Sequence, residues 1–398
     1  MPGISQAVIL AGGRGTRLAP LTDTRPKPLI EIAGRPFIDH LLEMIRGQGI
    51  RRVAMLLGYK AQMIVDHLGD GSRFGLEISH SVTPEADETG RRLRAAAELL
   101  DPEFLLMYCD NYWPLRLERL WRSYKNSGAA MQIAVYDNSD GYTRDNVRVE
   151  DGFVAVYDKS RTAPDLKGVD IGFAILRRDL LDRLPNGNPS FEAALYPELV
   201  AQRQLAAFVT GHRYYSIGSH ARLPLTETFL ARRPAVILDR DGVLNQRMPR
   251  AEYVRRWPDW RWKYGAIEAL RRFAAAGWRV IVVTNQAGIA RGAMTEGDLA
   301  AIHERMCAEA AAAGGRIDAI YHCPHGWDEG CACRKPAPGM LFQAQRAFDL
   351  DLSRVSFVGD DERDGQAAEA AGCRFVPAEN GMPLSRIADR IINEWAPT

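Results

Sequence analysis

Two short apolar runs, Ala7-Val8-Ile9-Leu10-Ala11 and Ala235-Val236-Ile237-Leu238, each break off into a loop crowded with functional side chains. An apolar run of this length, closed by turn residues, reads as a strand buried on both faces. Such strands belong to parallel sheets covered by helices. The first run leads into Gly12-Gly13-Arg14-Gly15-Thr16-Arg17 and the second into Asp239-Arg240-Asp241-Gly242. A fresh opening so far along the chain predicts a second domain. The joint falls near Arg232-Arg233-Pro234, where charge and proline interrupt the apolar pattern, giving domains 1–231 and 234–398. The expected fold class is α/β.

The rest of the sequence repeats the alternation. In the first half, helical spacing covers Phe37–Ile45 and Ala61–Leu68, and strands are expected at Val53–Leu57 and Phe104–Tyr108. Later segments are richer in strand, at Ala130–Tyr136, Phe153–Tyr157 and Val169–Leu176. In the second half, strands are expected at 235–238, 279–283, 317–321 and 355–358, and helices at 265–276, 296–313, 338–348 and 365–371. Thr295 suits the N-cap of the longest helix, with Asp298 in its first turn. The alternation implies parallel sheets with helices on both faces.

Composition narrows the class of partner. Lys and Arg total 51 against 50 Asp and Glu, a net charge of +1, which argues against binding nucleic acid or an anionic membrane. No apolar run approaches the ~18 residues of a membrane span, and the first residues lack the pattern of a signal peptide. A cytoplasmic protein is expected, and the sequence is compatible with a homo-oligomer. Six cysteines are too few for a disulfide scaffold of this length. Cys109, Cys307 and Cys373 are scattered among apolar residues, whereas Cys323, Cys331 and Cys333 lie close together with His325 among them. Four soft donors so close suggest a metal; a set of unmetallated core thiols is the alternative.

The glycine loop allows two readings. It is a tight turn between strand and helix, or a cradle whose N–H groups receive phosphate oxygens. In the second case Arg17 and Lys27 neutralise a triphosphate, and Asp110, just past the strand Phe104–Tyr108, suits Mg²⁺ held together with substrate phosphates. With Arg25-Pro-Lys-Pro-Leu29, the string Gly12-Gly-Arg-Gly-Thr-Arg-Leu18 resembles the sugar-1-phosphate nucleotidyltransferases over about residues 1–230. The resemblance implies a Rossmann-like nucleotidyltransferase fold, in which a sugar 1-phosphate attacks the α-phosphorus of a nucleoside triphosphate. It assigns Gly12, Gly13, Gly15, Thr16, Arg17 and Lys27 to the triphosphate and Asp110 to the metal. Thr89 and Gly90 fall to the base, Asp158 and Lys159 to the sugar phosphate, and Gly172 to the sugar. Three positions depart from the family pattern: Ser216 stands where a second metal aspartate is usual, Arg91 replaces a small residue beside Gly90, and Cys109 replaces a glycine before Asp110.

The second loop has its own logic. Asp239 at a strand end can attack phosphorus, and Asp241 two residues on can protonate the leaving oxygen and then activate water. Paired carboxylates around a phosphate require a cation, and Mg²⁺ fits. Thr284 and Asn285 follow one strand and Asp360 another, while Lys335 can offset charge on the transferring group. A lone Asp-x-Asp is often a solvated turn; four elements at four strand ends are one site. With Val283-Thr-Asn-Gln-Ala-Gly-Ile-Ala-Arg-Gly292, the set resembles the haloacid dehalogenase superfamily over about residues 234–390. Within it, it is similar to the heptose bisphosphate and histidinol-phosphate phosphatases.

That resemblance implies a haloacid dehalogenase-like Rossmannoid fold. It makes Asp239 the nucleophile and a Mg²⁺ ligand, Asp241 the acid/base and a ligand through its carbonyl, and Asp360 a further ligand. Thr284, Asn285 and Lys335 bind the phosphoryl group, and Arg291 and Arg334 meet the rest of the substrate. Cys323, His325, Cys331 and Cys333 match its structural zinc clip. Asp364 reads as a supporting residue. Asp361, where a lysine is common, is given no role.

Trp257, Trp260, Trp262 and Trp278 read as core packing, with a sugar-site wall as the alternative. The patches Arg91-Arg92-Arg94 and Arg255-Arg256 read as solvated, Arg91 excepted. Together the resemblances imply a bifunctional enzyme of the GDP-heptose route, removing the 7-phosphate of heptose 1,7-bisphosphate and joining the 1-phosphate to a nucleotide, with GTP inferred from the route alone. The alternatives are a catalytically silent nucleotide-binding N-terminal module, or a histidinol-phosphate-type or other sugar-phosphate pairing.

Overall fold

The computed structural model describes residues 3–231, 233–249, 252–378 and 381–395. Arg232 of the expected joint lies outside them. The chain forms two compact units, Met1–Ala231 and Arg232–Thr398.

The first unit is built on one mixed nine-stranded sheet. In chain order its main elements are β1 (Gln6–Ala11), α1 (Phe37–Gly47), β2 (Arg52–Leu57), α2 (Ala61–Leu68), β3 (Glu77–Val82), α3 (Thr89–Ala95), β4 (Glu103–Tyr108), β5 (Met131–Tyr136), β6 (Val147–Glu150), β7 (Phe153–Tyr157), β8 (Val169–Arg177), α4 (Phe191–Ala201) and β9 (Leu205–Thr210). The strand order is β3-β2-β1-β4-β8-β5-β9-β7-β6. The first four strands are parallel, as the apolar runs lead one to expect. The expectation of a parallel sheet fails beyond them. β8 runs antiparallel to both β4 and β5, and β7 antiparallel to both β6 and β9. Apolar runs give burial and leave strand direction open. Two core clusters cover the two sheet faces, one gathering Phe37, Leu41 and Ile45 of α1, the other Phe191, Leu195 and Leu199 of α4.

The second unit holds β10 (Ala235–Leu238), α5 (Ala266–Ala275), β11 (Arg279–Asn285), α6 (Glu296–Ala312), β12 (Ala319–Cys323), α7 (Gly339–Phe348), β13 (Ser356–Gly359), α8 (Glu362–Ala371), β14 (Arg374–Pro377) and α9 (Leu384–Glu394). Its five strands are all parallel, in the order β12-β11-β10-β13-β14. Thr295 and Asp298 form the capping box of α6, each satisfying a backbone N–H of the other. β12 sits two residues later than expected, because the Asp318 carboxylate accepts the Val280 N–H and opens the strand beyond it. That shift puts Cys323 at a strand end.

Both sheets have a topological switch point. Successive strands leave β1 on one side as β2 and β3 and on the other as β4; β10 relates in the same way to β11 and β13. Ligands of open α/β sheets bind beyond the carboxyl ends of the strands at such points. The glycine loop and Asp110 follow β1 and β4, and Asp239 and Asp360 follow β10 and β13.

Two candidate active sites and a sulfur cluster

In the second unit, the strand ends bring the expected residues together. The Lys335 ammonium donates to the Asp239 carboxylate at 2.6 Å, to the Val283 carbonyl at 3.2 Å, and lies 2.7 Å from the Asp364 carboxylate. Asn285 holds the Lys335 main chain from both sides: its amide donates to the Lys335 carbonyl and its carbonyl accepts the Lys335 N–H, both at 3.1 Å. Gly242 has φ +91°, and a Cβ there would collide with the Asp360 carboxylate. Only glycine allows that approach.

Carboxylate oxygens of Asp239, Asp360 and Asp364 lie within 4.8 Å of one another. Carboxylates outnumber the cations paired with them, Lys335 and Arg247, and the donors are hard oxygens, so the set fits a divalent cation such as Mg²⁺. Burial, with Asp364 and Asp241 nearby, raises the Asp239 pKa, against the pull of Lys335. Asp364, expected as a supporting residue, pairs with Lys335 and lies beside the other two carboxylates. Asp361 caps α8 and its N–H donates to the Asp364 carboxylate, which turns that side chain inward to meet the other two.

The sequence reading missed four further residues, Arg240, His303, Gln286 and Trp327. Arg240, almost wholly buried between the two aspartates, grips Asp241 through Nε and Nη2 at 2.9–3.1 Å and donates to His303 Nε2. Burial, then Arg240, pushes the His303 pKa down to about 3, so its neutral ring is free to accept. Gln286 donates to both Asp241 and Thr284 at 2.8 Å. Burial alone would raise Asp241, but Arg240, Asn245 and Gln286 bring it below the usual range and hold it as a carboxylate. Trp327 lines the cavity of about 600 Å³ above these groups, beside Thr284, Asn285 and Arg334. Arg291 does not line it; its guanidinium lies 3.8 Å from the Trp327 ring centre. None of Trp257, Trp260, Trp262 and Trp278 reaches the cavity; Trp260 and Trp278 are core.

Cys323, His325, Cys331 and Cys333 also converge, with ligand atoms within 4.8 Å. Neighbouring sulfur and Nδ1 atoms are 3.2–3.6 Å apart. A tetrahedron with metal–sulfur bonds of about 2.3 Å has edges of about 3.8 Å, so the donors fit a zinc-sized ion with a slight expansion. Arg334 donates to the His325 carbonyl at 3.2 Å, tying this cluster to the cavity wall.

In the first unit the glycine loop closes over Lys27. Gly15, at φ +68°, lies so close that a Cβ would touch the Lys27 chain, whereas a Cβ on Gly13 would meet open space. Lys27 donates to Asp110 at 2.9 Å; burial opposes its charge, but Asp110 holds its pKa above the ordinary value. A Cβ on Gly218 would lie 3.1 Å from Ser216 Oγ, 3.7 Å from Arg17 and 3.8 Å from Asp110, so these side chains share one corner. Ser216 Oγ accepts the Gly218 N–H at 2.9 Å. Two cations against one carboxylate suit a polyanion. A lone carboxylate fits Mg²⁺ only together with phosphate oxygens. Burial pushes the Cys109 thiol up to about 12, which leaves it unreactive.

The remaining residues of this unit divide. Thr89 Oγ1 accepts the Phe191 N–H and the Gly90 N–H donates to the Pro189 carbonyl, joining α3 to the start of α4. Gly172, at φ +76°, faces Tyr108 and Asn111. Asp158 does not pair with Lys159; it accepts from Ser160, Thr162 and Ala163 of its own turn, which holds it well below the carboxylate range. Lys159 instead lies 3.9 Å from Glu192, a buried carboxylate that also accepts from Tyr108 and Ser190. Glu192 was missed; a glutamate in the first turn of α4 reads from sequence as dipole compensation. Arg92, expected to be solvated, is buried against the glycine loop, while Arg91 is exposed and paired with Asp87.

Fold and site define a haloacid dehalogenase-type phosphatase unit joined to a nucleotidyltransferase-type unit. The nucleotidyl transferase family model matches residues 6–142, and the HAD-hydrolase-like model matches residues 332–386. The D-glycero-beta-D-manno-heptose-1,7-bisphosphate 7-phosphatase of Bordetella bronchiseptica is 41% identical over 177 residues, covering 40% of this chain and 98% of its own length. The protein so named from Pseudomonas aeruginosa is 44% identical over 149 residues, covering 37% of this chain and 83% of its own. Through its second domain the chain belongs to this 7-phosphatase family. A putative glucose-1-phosphate thymidylyltransferase structure from Bacillus anthracis is 18% identical, covers 57% of this chain and 94% of its own, and has a TM-score of 0.51, an agreement of fold. Among the described residues no helix is long and apolar enough to cross a membrane.

Proposed function

We propose that this chain is a bifunctional enzyme of nucleotide-activated heptose synthesis. Its second domain removes the 7-phosphate of D-glycero-D-manno-heptose 1,7-bisphosphate, and its first joins the resulting 1-phosphate to a nucleotide. The observation that carries this reading is one chain holding two switch-point sites, the second in a domain that matches a heptose bisphosphate 7-phosphatase over 98% of that protein's length.

Asp239 attacks the phosphorus and forms an aspartyl-phosphate as the sugar oxygen leaves. Asp241 gives that oxygen a proton, then takes one from the water that hydrolyses the acyl phosphate. The Arg240 grip favours the carboxylate form needed for the second step, so the first requires Asp241 to loosen from it. Lys335 neutralises the transferring group, and Thr284 and Asn285 line its approach. Mg²⁺, held by Asp239, Asp360, Asp364 and the Asp241 carbonyl, would supply positive charge to the phosphate oxygens. Zn²⁺ on the Cys₃His set would be structural, fixing the segment that carries Arg334 and Lys335.

In the first domain the sugar phosphate attacks the α-phosphorus and pyrophosphate leaves. The glycine loop, Arg17 and Lys27 hold the triphosphate; Gly172, Lys159 and Glu192 face the sugar. GTP is favoured by the coupling to heptose rather than by any side chain. Free thiols suit a reducing, cytoplasmic setting. Relatives are named for either anomer of the bisphosphate, so both are supplied in the test. Lys27→Ala is expected to abolish pyrophosphate release while phosphate release continues; retained pyrophosphate release would refute the assignment. Ser216 favours a second reading, in which the first domain binds nucleotide without turnover. Calorimetric binding of GTP and Mg²⁺ with no pyrophosphate from any sugar phosphate would support it.

A further inference from the structure

Arg92 stands on α3, one turn after Thr89, and is only 4% exposed. Its guanidinium spans the loops that follow three neighbouring strands. Nη1 donates to the Leu57 carbonyl at 2.7 Å and to Thr83 Oγ1; Nη2 donates to the carbonyls of Gly12 at 3.4 Å and of Pro84 and Glu85 at 3.0 Å. A Cβ on Gly12 or Gly58 would run into this group, which gives a reason for glycine at both positions. The acidic neighbours act at a distance: Asp87 is paired with Arg91 and Glu85 with Arg14. The hydrogen-bonding contacts to Arg92 are neutral oxygens, and the carboxylates of Asp87, Glu88 and Glu85 offset its charge only from a distance, so the guanidinium sits as a cation without a direct counter-ion beneath the glycine loop.

A trans peptide plane points its carbonyl and its N–H in opposite directions. The Gly12 carbonyl accepts from the Tyr59 N–H at 3.0 Å and from Arg92 at 3.4 Å, so the Gly13 N–H of that same plane points away from both. A Cβ at Gly13 meets only open space, so the backbone there is accessible to a ligand.

We infer that Arg92 is a positioning residue for the nucleoside triphosphate, fixing the carbonyl side of the glycine loop so that its N–H groups face the phosphates, and adding its own charge to their attraction. The inference rests on the nucleotide-binding reading of that loop. It requires two separable contributions: a fork that fixes geometry, which lysine lacks, and a charge, which lysine keeps.

The test is calorimetric titration of full-length wild type, Arg92→Lys and Arg92→Gln with GTP, GDP and GMP in Mg²⁺ at low and high salt. Loss of charge-assisted hydrogen bonds predicts that Arg92→Gln binds GTP at least about tenfold more weakly. GMP should lose less, and the GTP deficit should shrink as salt rises. Arg92→Lys should recover part of the GTP affinity. Phosphate release by the second domain of the same preparations checks the protein concentration, and the melting midpoint of the first domain checks its folding. Equal weakening of GTP and GMP at both salt concentrations would overturn the inference in favour of a merely structural clamp. Unchanged or tighter GTP binding by Arg92→Gln would overturn it outright. Wild type that binds none of the common nucleoside triphosphates would refute the nucleotide reading, and the inference with it.

Discussion

Replacing Lys335 by methionine keeps the length of the side chain and removes its charge from between Asp239 and Asp364. At separations of 2.6 and 2.7 Å each attraction is about 6 kcal/mol for an effective dielectric near 20. Desolvation of the ammonium offsets several kcal/mol of that. Burial alone would lower the Lys335 pKa, yet the two aspartates carry it above the ordinary value, so the attraction outweighs the desolvation. Leaving the carboxylates buried without their partner should cost about 3–5 kcal/mol. A divalent cation relieves part of that repulsion, so the loss should be largest without Mg²⁺ and shrink as Mg²⁺ is added. Transition-state charge then lacks its cation, and kcat for phosphate release should fall by about 10²–10³. Thermal melts of the second domain, with and without Mg²⁺, and a phosphate-release assay read the two effects. An equal loss of stability at all Mg²⁺ concentrations, or phosphate release within tenfold of wild type, would refute the reasoning.

Four further predictions address other parts of the chain. Asp239→Asn should abolish phosphate release yet leave nucleotidyl transfer to supplied heptose 1-phosphate at the wild-type rate. Removing zinc, by chelation or Cys331→Ser, should lower both the melting midpoint and the phosphatase rate, and elemental analysis of the native protein should find one zinc per chain. Ser216→Asp places a carboxylate in the corner shared by Asp110 and Arg17, and should lower the Mg²⁺ concentration for half-maximal pyrophosphate release. Asp170 is pushed up to about 6 by burial, against the Gly172 N–H and Lys159. A carboxyl raised by folding stabilises the fold at low pH, and that contribution is lost as pH rises from the unfolded value of 3.8 through 6. Asp170→Asn should therefore match wild type in stability at pH 3.5 and exceed it at pH 8, by at most about 3 kcal/mol, in melts of the first domain.

The parts legible in the sequence were those fixed by local pattern. The four-residue run 235–238 reads as a buried strand, and the aspartates, Thr284-Asn285 and Asp360 declared themselves by their places at the ends of such strands, whereas Lys335 was legible from its charge alone. The Cys₃His set was legible because its members are close in sequence. What escaped depends on side chains that cross between elements. The antiparallel course of β8 leaves no trace in its apolar pattern. Arg92 sits in the basic string Arg91-Arg92-Leu93-Arg94, where one arginine enters the fold and its neighbour stays in solvent. Their difference is set by helix phase and by the space left at Gly12 and Gly58, which a composition-based reading of a charged patch ignores. The inward turn of Asp364 was not legible because it depends on the cap made by Asp361. The place of Arg291 behind the cavity wall was not legible because its partner, Trp327, lies 36 positions along the chain.

The central claim is that one chain carries both reactions on one heptose. A phosphorus NMR time course tests it most directly, with either anomer of D-glycero-D-manno-heptose 1,7-bisphosphate, Mg²⁺, pyrophosphatase and an equal mixture of the common nucleoside triphosphates. The account predicts loss of the 7-phosphate signal followed by a new diphosphate diester, whose mass names the base. Accumulation of heptose 1-phosphate with no diester would contradict it, as would a 7-phosphate signal that never declines.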